Sequence, residues 1–349
     1  MSELPFKLSV HVGGGPGVGY TASSGLQEAI DIARAADCNG YHRFWMSEHH
    51  SMPGLSISSP TVMIARLIGE TTRIRLGAGG VMLPNHSPLL VAEEYGMLDA
   101  LAPGRIDLGL GRSAGPNPNA AAALGRKKDA NETFPDQISE LVGFLNNNFP
   151  AGHIYEDIYA VPGPWQAQEN RVAASETTPE LWLLGSSTNS ARMAAQMGHS
   201  YAFALQFGDA DIEAAMDVYR EEFQPSHALM QPYSMVSVRA TIADDEETAR
   251  REATSSAVAM MRMQTRKSFI VPSPEETQEY PATADEQAII DFHMSRTLMG
   301  TPESVAQQIE ELQERSGVDE VMLVLRSYTP GADARGIELL SSHYGMNTK

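Results

Sequence analysis

Arg73-Ile74-Arg75-Leu76-Gly77-Ala78-Gly79-Gly80-Val81-Met82-Leu83-Pro84 is a β-prone run, residues 88–101 after it carry a helical pattern, and past Pro103-Gly104 comes Arg105-Ile106-Asp107-Leu108-Gly109-Leu110-Gly111. Two strands joined by one helix are the unit of a parallel sheet, because parallel neighbours need a crossover of a dozen or more residues. The unit repeats upstream. Phe6-Lys7-Leu8-Ser9-Val10-His11-Val12 runs into Gly13-Gly14-Gly15-Pro16, a helix from about Ser24 stops at Gly40, and Tyr41-His42-Arg43-Phe44-Trp45-Met46 leads to a helix over about 60–70. Strand starts at 7, 41, 73 and 105 therefore lie 34, 32 and 32 residues apart.

Downstream, the polar stretch Pro116-Asn117-Pro118-Asn119 and a helix near 131–148 interrupt the rhythm until Glu180-Leu181-Trp182-Leu183-Leu184. Helix 190–197, strand 201–206, helix 211–223 and strand 233–242 resume the alternation. A second interruption holds a helix with the acidic start Asp244-Asp245-Glu246-Glu247 and the Pro-rich Val271-Pro272-Ser273-Pro274. Thr301-Pro302-Glu303-Ser304 then opens a helix that ends at Ser316-Gly317, before the last strand Glu320-Val321-Met322-Leu323-Val324-Leu325. Eight strands in this order predict an α/β fold, a (β/α)8 TIM barrel in a single domain over 1–349. Its insertions follow strand 4 and separate strands 7 and 8. A doubly wound sheet is the alternative.

Composition narrows the function. Twenty-five Lys plus Arg against 44 Asp plus Glu give the 349-residue chain a net charge of -19, which repels nucleic acid phosphates. No apolar run is long enough to span a membrane, and Met1-Ser2-Glu3-Leu4-Pro5 lacks the character of a leader, so a cytoplasmic protein is expected. The single cysteine, Cys38, excludes an internal disulfide and reads as a packed thiol at a helix end.

A barrel of this kind places its active site at the carboxyl ends of the strands. That filter selects His11, Glu48-His49-His50, Gly79-Gly80 through His86, Arg112 and Gly185-Ser186-Ser187. Glycines at 77, 79 and 80 inside a strand mark either a bulge or close approach by a flat ligand. Ser186, Ser187 and Ser190 stand where a helix begins, so they either cap it or, together with Arg112, hold a phosphate. Glu48-His49-His50 fits acid–base or oxyanion chemistry better than a metal site, since the other strand ends offer no ligand set. The Met260-Met261-Arg262-Met263 run reads as helix packing.

Taken together, Tyr41 through His50, Arg73 through Pro88, Leu98 through Arg112, Leu184-Gly185-Ser186-Ser187 and Gly300-Thr301-Pro302-Glu303 resemble the bacterial luciferase-like flavin monooxygenase family, close to its polyketide-tailoring branch of the mensacarcin type. The resemblance implies a two-component enzyme. Reduced FMN would come from a separate NAD(P)H-flavin reductase and activate O2 as a flavin C4a-peroxide that hydroxylates or epoxidises a small organic substrate. It further implies that the flavin ring rests on Gly79 and Gly80, often at a bulge with a non-prolyl cis peptide. Arg112, Gly185, Ser186, Ser187 and Ser190 would hold the phosphate, with His49 as catalytic histidine and Glu48 as its orienting partner. No metal is implied, and a homodimer is common in the family. Gly111 replaces the cysteine that luciferase itself carries before the arginine, which argues against long-chain aldehyde oxidation with light. Two rivals remain: a deazaflavin (F420)-dependent oxidoreductase and a flavin-binding barrel without catalysis.

Overall fold

The computed structural model describes residues 4–15, 17–113, 118–173, 177–207 and 211–346, so Met1 to Glu3, Pro16 and the Pro116-Asn117 part of the polar stretch lie outside the described residues. Among the described residues nine strands form one all-parallel sheet: β1 Lys7–Val12, β2 Arg43–Met46, β3 Arg75–Met82, β4 Ile106–Gly111, β5 Glu180–Gly185, β6 Ser200–Ala204, β7 Ser234–Ile242, β8 Thr297–Gly300 and β9 Glu320–Leu325. β1 to β7 pair in order, and β9 joins β7 to β1. The closed ring has eight strands, the expected (β/α)8 barrel, with β9 as its eighth member.

The ninth strand was not expected. β6 pairs with Ser234 through Ser237 of β7, and from Arg239 onward β8 takes over that edge. β7 outlasts its neighbour, and the short β8 satisfies the backbone groups that β6 leaves open.

Helices cover the outside and begin where the sequence provides caps. Thr21 and Ser24 form a capping box at Ala22–Cys38, Pro88 opens Pro88–Leu101, and Thr301 caps Pro302–Ser316 with Pro302 in its first turn. The first insertion, between β4 and β5, holds Phe134–Asn146 and Pro164–Glu169. The second, between β7 and β9, holds Glu246–Gln264, Pro274–Gln278 and Ala284–Met294. Met260 and Met261 are buried in helix packing. Cys38 corrects the expectation of a packed thiol: it is exposed. The inward face of its helix runs through Ala29, Ala33, Ala36 and Asp37, and the next residue turns off that face. Buried Asp37 instead accepts the backbone N–H groups of Thr72, Arg73 and Ile74 at 2.7–2.9 Å, tying the helix to the approach to β3.

Strand alternation fills the barrel in layers. At the amino ends Arg43, Arg75, Asp107, Glu180 and Glu320 point inward, a middle layer packs Trp45, Trp182, Ala202, Met235 and Met322, and the carboxyl end opens on the candidate site. In the lowest layer Arg43 reaches Asp107 at 2.8 Å, Glu180 at 2.9 Å and Glu320 at 3.1 Å. Burial alone would push its guanidinium down, but the three carboxylates raise it well above its ordinary range.

Candidate active site

β1, β2 and β3 bring His11, Ser47 and Gly79 to one level above the tryptophan layer. His11 Nε2 lies 3.2 Å from the Gly79 carbonyl and 2.9 Å from Ser47 Oγ. A carbonyl only accepts, so the first bond places the ring hydrogen on Nε2 and leaves Nδ1 a bare acceptor. That Nδ1 is buried without a partner, as is Nδ1 of His49. Burial pushes both imidazoles down to about 4, assisted at His49 by the Arg326 guanidinium and at His11 by His49. Both rings are therefore neutral at pH 7.

The peptide between Gly79 and Gly80 is cis, and the pairing of β3 with β4 shifts register between Gly79 and Val81, so the expected bulge is present. Packing requires these glycines. A Cβ would lie 2.6 Å from Asp107 Cβ at Gly77, 2.7 Å from the Trp45 ring at Gly79, and 2.6 Å from the Gly109 carbonyl at Gly80.

Glu48 departs from its expected part. Its Oε1 accepts from Nε2 of His50 and of His86, each at 2.9 Å, and its Oε2 from the Met82 N–H at 3.0 Å. It thus braces the β2 and β3 loops against each other, and among the described residues no hydrogen bond joins it to the His49 ring. Burial would raise Glu48, yet the hydrogen bond from His86 and its companions hold it below its ordinary value, and the same bond raises His86.

On the opposite rim, Leu110 is in register with Leu183, which brings Arg112 and Gly185 out of β4 and β5 at one level. Arg112 is exposed, and its carbonyl accepts from Arg126 at 2.8 Å. Ser187 caps Thr188–Met197 in a capping box with Ser190, and the Ser190 hydroxyl donates to the Ser187 carbonyl at 2.7 Å and meets Tyr201 Oη at 2.9 Å. A Cβ at Gly185 would fall 2.1 Å from Ser190 Oγ, so glycine is the residue that lets the strand pass the helix start. The capping reading of Ser187 and Ser190 is thus present in the structure. Ser186 makes no hydrogen bond with a described residue.

Two arginines were missed. Arg239, inside β7, is buried and its Nη1 lies 3.4 Å from His293 Nδ1. Arg326, just past β9, stacks over Phe269 at 3.7 Å and donates to the Phe269 carbonyl at 2.7 Å, while its Nε is buried without a partner. The strand-end filter that selected Arg112 applies equally to Arg326, which directly follows the last apolar run. Among the described residues no three His, Cys, Asp or Glu groups converge as a metal set.

The sequence model of the luciferase-like monooxygenase family matches residues 6–320. The chain belongs to that family. A luciferase-like monooxygenase of Escherichia coli strain K12 is 36% identical over 306 residues, 87% of each chain. The N-acetyl-S-alkylcysteine monooxygenase of Bacillus subtilis strain 168 is 32% identical over 301 residues, 85% of each. The crystal structure of apo-MsnO8 superposes with a TM-score of 0.86 at 29% identity, covering 99% of this chain and 100% of that one. The family expectation and the barrel expectation both hold, and the chain is an oxygenase-class enzyme.

Proposed function

We propose that the protein is the oxygenase of a two-component system, using reduced FMN from a separate flavin reductase and O2 to oxygenate a small organic molecule. The observation that carries the reading is the pair of buried, unpartnered Nδ1 atoms of His11 and His49 beside the glycine-rich β3–β4 surface. Such atoms are costly unless a bound polar group completes them, and a flavin ring edge offers donors and acceptors of that kind. Gly79 and Gly80 would lie against the ring. Arg112, Ser186, Ser187, Gly185 and Ser190 would surround the phosphate, assisted by the open N–H groups at the start of Thr188–Met197. Reduced FMN supplies the electrons for oxygen activation when bound.

The residues of this chain do the rest. His49, neutral at pH 7, accepts or passes a proton at Nδ1 next to the reacting groups, and His11 fixes the Gly79 carbonyl. The second insertion closes over the mouth through Phe269, whose carbonyl meets Gly54 of the β2 loop closely enough that a Cβ there would fall 2.1 Å away. Helices Pro60–Ile68 and Pro88–Leu101 keep Val62, Leu90, Met97 and Leu101 exposed, which supports a homodimer through that face. No helix among the described residues is long and apolar enough to cross a membrane.

Anaerobic titration of the protein with reduced FMN, followed by addition of oxygen, tests the reading. Reduced FMN is expected to bind, and oxygen uptake with a transient change in flavin absorbance should follow. His49→Ala should keep the binding and lose most of the oxygen chemistry. Binding of reduced deazaflavin in place of FMN, or FMN binding with no effect on its reaction with oxygen, would overturn it.

A further inference from the structure

The mouth of the barrel holds positive charge that no described carboxylate neutralises. Arg239 and Arg326 leave adjacent strands on the inner face, since Arg239 is opposite Val324 in the β7–β9 register and Arg326 follows two residues later. Neither forms an ion pair with a described carboxylate. Among the described residues Arg239 meets the ring of His293, whose other ring nitrogen lies 3.0 Å from the Gln264 amide, and Arg326 donates to the carbonyls of Phe269 and Gly54. Burial pushes Arg239 down to about 10 and Arg326 down to about 9, with Arg239 adding to the effect at Arg326. Two guanidiniums that repel one another while withdrawn from water are stable only at a cost that an anion would relieve. Their forked donors match a carboxylate or sulfonate, and the buried Arg326 Nε donates to no described residue.

We infer that Arg239 and Arg326 form the anion-binding subsite of the substrate pocket, and that the organic substrate is an acid whose carboxylate or sulfonate head they hold beside His49. This rests on the reading of the barrel mouth as the site of oxygenation. Held there, the acid presents the rest of its carbon chain to the space near His49 and the β3 bulge, so the pair would select both the class of substrate and its direction of entry.

The test uses ligand-observed NMR and calorimetry at pH 7 with hexanoate, hexanesulfonate and the neutral hexanamide, each with and without oxidised FMN. The anions are expected to bind at least about tenfold more tightly than the amide. Arg239→Gln should abolish that preference, Arg239→Lys should restore part of it, and Arg315→Gln on the outer helix should leave it intact. Equal binding of hexanoate and hexanamide by the wild-type protein would overturn the inference, even if the Arg239 variants failed to fold. So would a preference unchanged in folded Arg239→Gln. If Arg239→Gln instead weakens FMN about tenfold and no anion preference exists, the arginines serve the flavin and the substrate assignment falls. An anion preference in a protein that binds no flavin would leave the subsite standing and overturn the FMN reading alone.

Discussion

The two ends of the barrel solve the same electrostatic problem in opposite ways. At the amino ends Arg43 and Arg75 face Asp107, Glu180 and Glu320, and Trp45 Nε1 and Tyr233 Oη complete the carboxylates at 2.8 and 3.1 Å. At the carboxyl ends His11, His49 and Arg326 each keep a buried polar atom without a partner among the described residues. The first layer is closed by the chain itself. On the proposed function the second is completed by the bound flavin and substrate, as expected where stability is given up for binding.

The sharpest way to break this comparison is to remove one arginine from each end. Arg43→Met removes the cation shared by the buried Asp107 and Glu320 and the half-buried Glu180, and the loss of one partner of a buried ionic network costs about 3–5 kcal/mol. Arg239→Met removes a charge that pairs with no described carboxylate, so it should leave the unfolding free energy unchanged or raise it. Denaturant unfolding of the two variants without ligand measures the difference. Equal losses would mean that the two ends do not differ in kind.

The lower layer was open to the same reading that found the barrel. Arg43, Arg75, Glu180 and Glu320 each stand at the first position of a strand, and Asp107 at the second position of its own. Alternation in a barrel must send some of these inward, and opposite charges at one level imply a network. The bulge at Gly79-Gly80, the level of Arg112 with Gly185 and the start of Pro302–Ser316 were legible because each rests on local backbone rules. The partners of Glu48 were not. His50 and His86 reach it from two loops, and no spacing along the chain distinguishes that arrangement from one in which Glu48 serves His49. β8 was hidden for a related reason, since its pairing depends on where β6 happens to stop.

Acid titration sharpens the comparison at the upper end. Burial pushes His11 and His49 down to about 4 in the folded protein, against about 6.5 in an unfolded chain. Between those values the unfolded chain takes up protons that the folded protein refuses. Stability present above about pH 6.5 should therefore fall as the pH drops towards 4, by at most on the order of 3 kcal/mol for each ring. The double variant His11→Gln, His49→Gln should flatten that acid limb in pH-dependent unfolding; an unchanged limb would place the loss elsewhere.

His86 runs the other way. Its folded value is raised, first by the hydrogen bond to Glu48, so the pair stabilises the protein below the ordinary histidine range and loses that contribution as the pH rises through the folded value. Glu48→Gln should move the His86 titration, read by NMR, back towards its ordinary range. It should also weaken the bracing of the β2 and β3 loops by about 1–3 kcal/mol, since a charged partner is lost at a largely buried site. A His86 titration that did not move would remove Glu48 from its assigned place between the loops.

Ser187 provides the smallest effect and separates two roles that one hydroxyl can hold together. Its oxygen accepts the Ser190 N–H as the cap of Thr188–Met197, so Ser187→Ala should cost about 1 kcal/mol of stability whether or not a phosphate ever binds there. Capping uses the hydroxyl as an acceptor and leaves its hydrogen able to donate outward. If that hydrogen meets the FMN phosphate, Ser187→Ala should weaken FMN by about fivefold beyond its effect on stability, the scale of one net hydrogen bond. Fluorescence titration of FMN against the wild-type and variant proteins measures this. An unchanged affinity would make Ser187 a cap alone and shift the phosphate to Arg112, Ser186 and the open N–H groups of the helix start, leaving this corner of the upper end as self-contained as the lower.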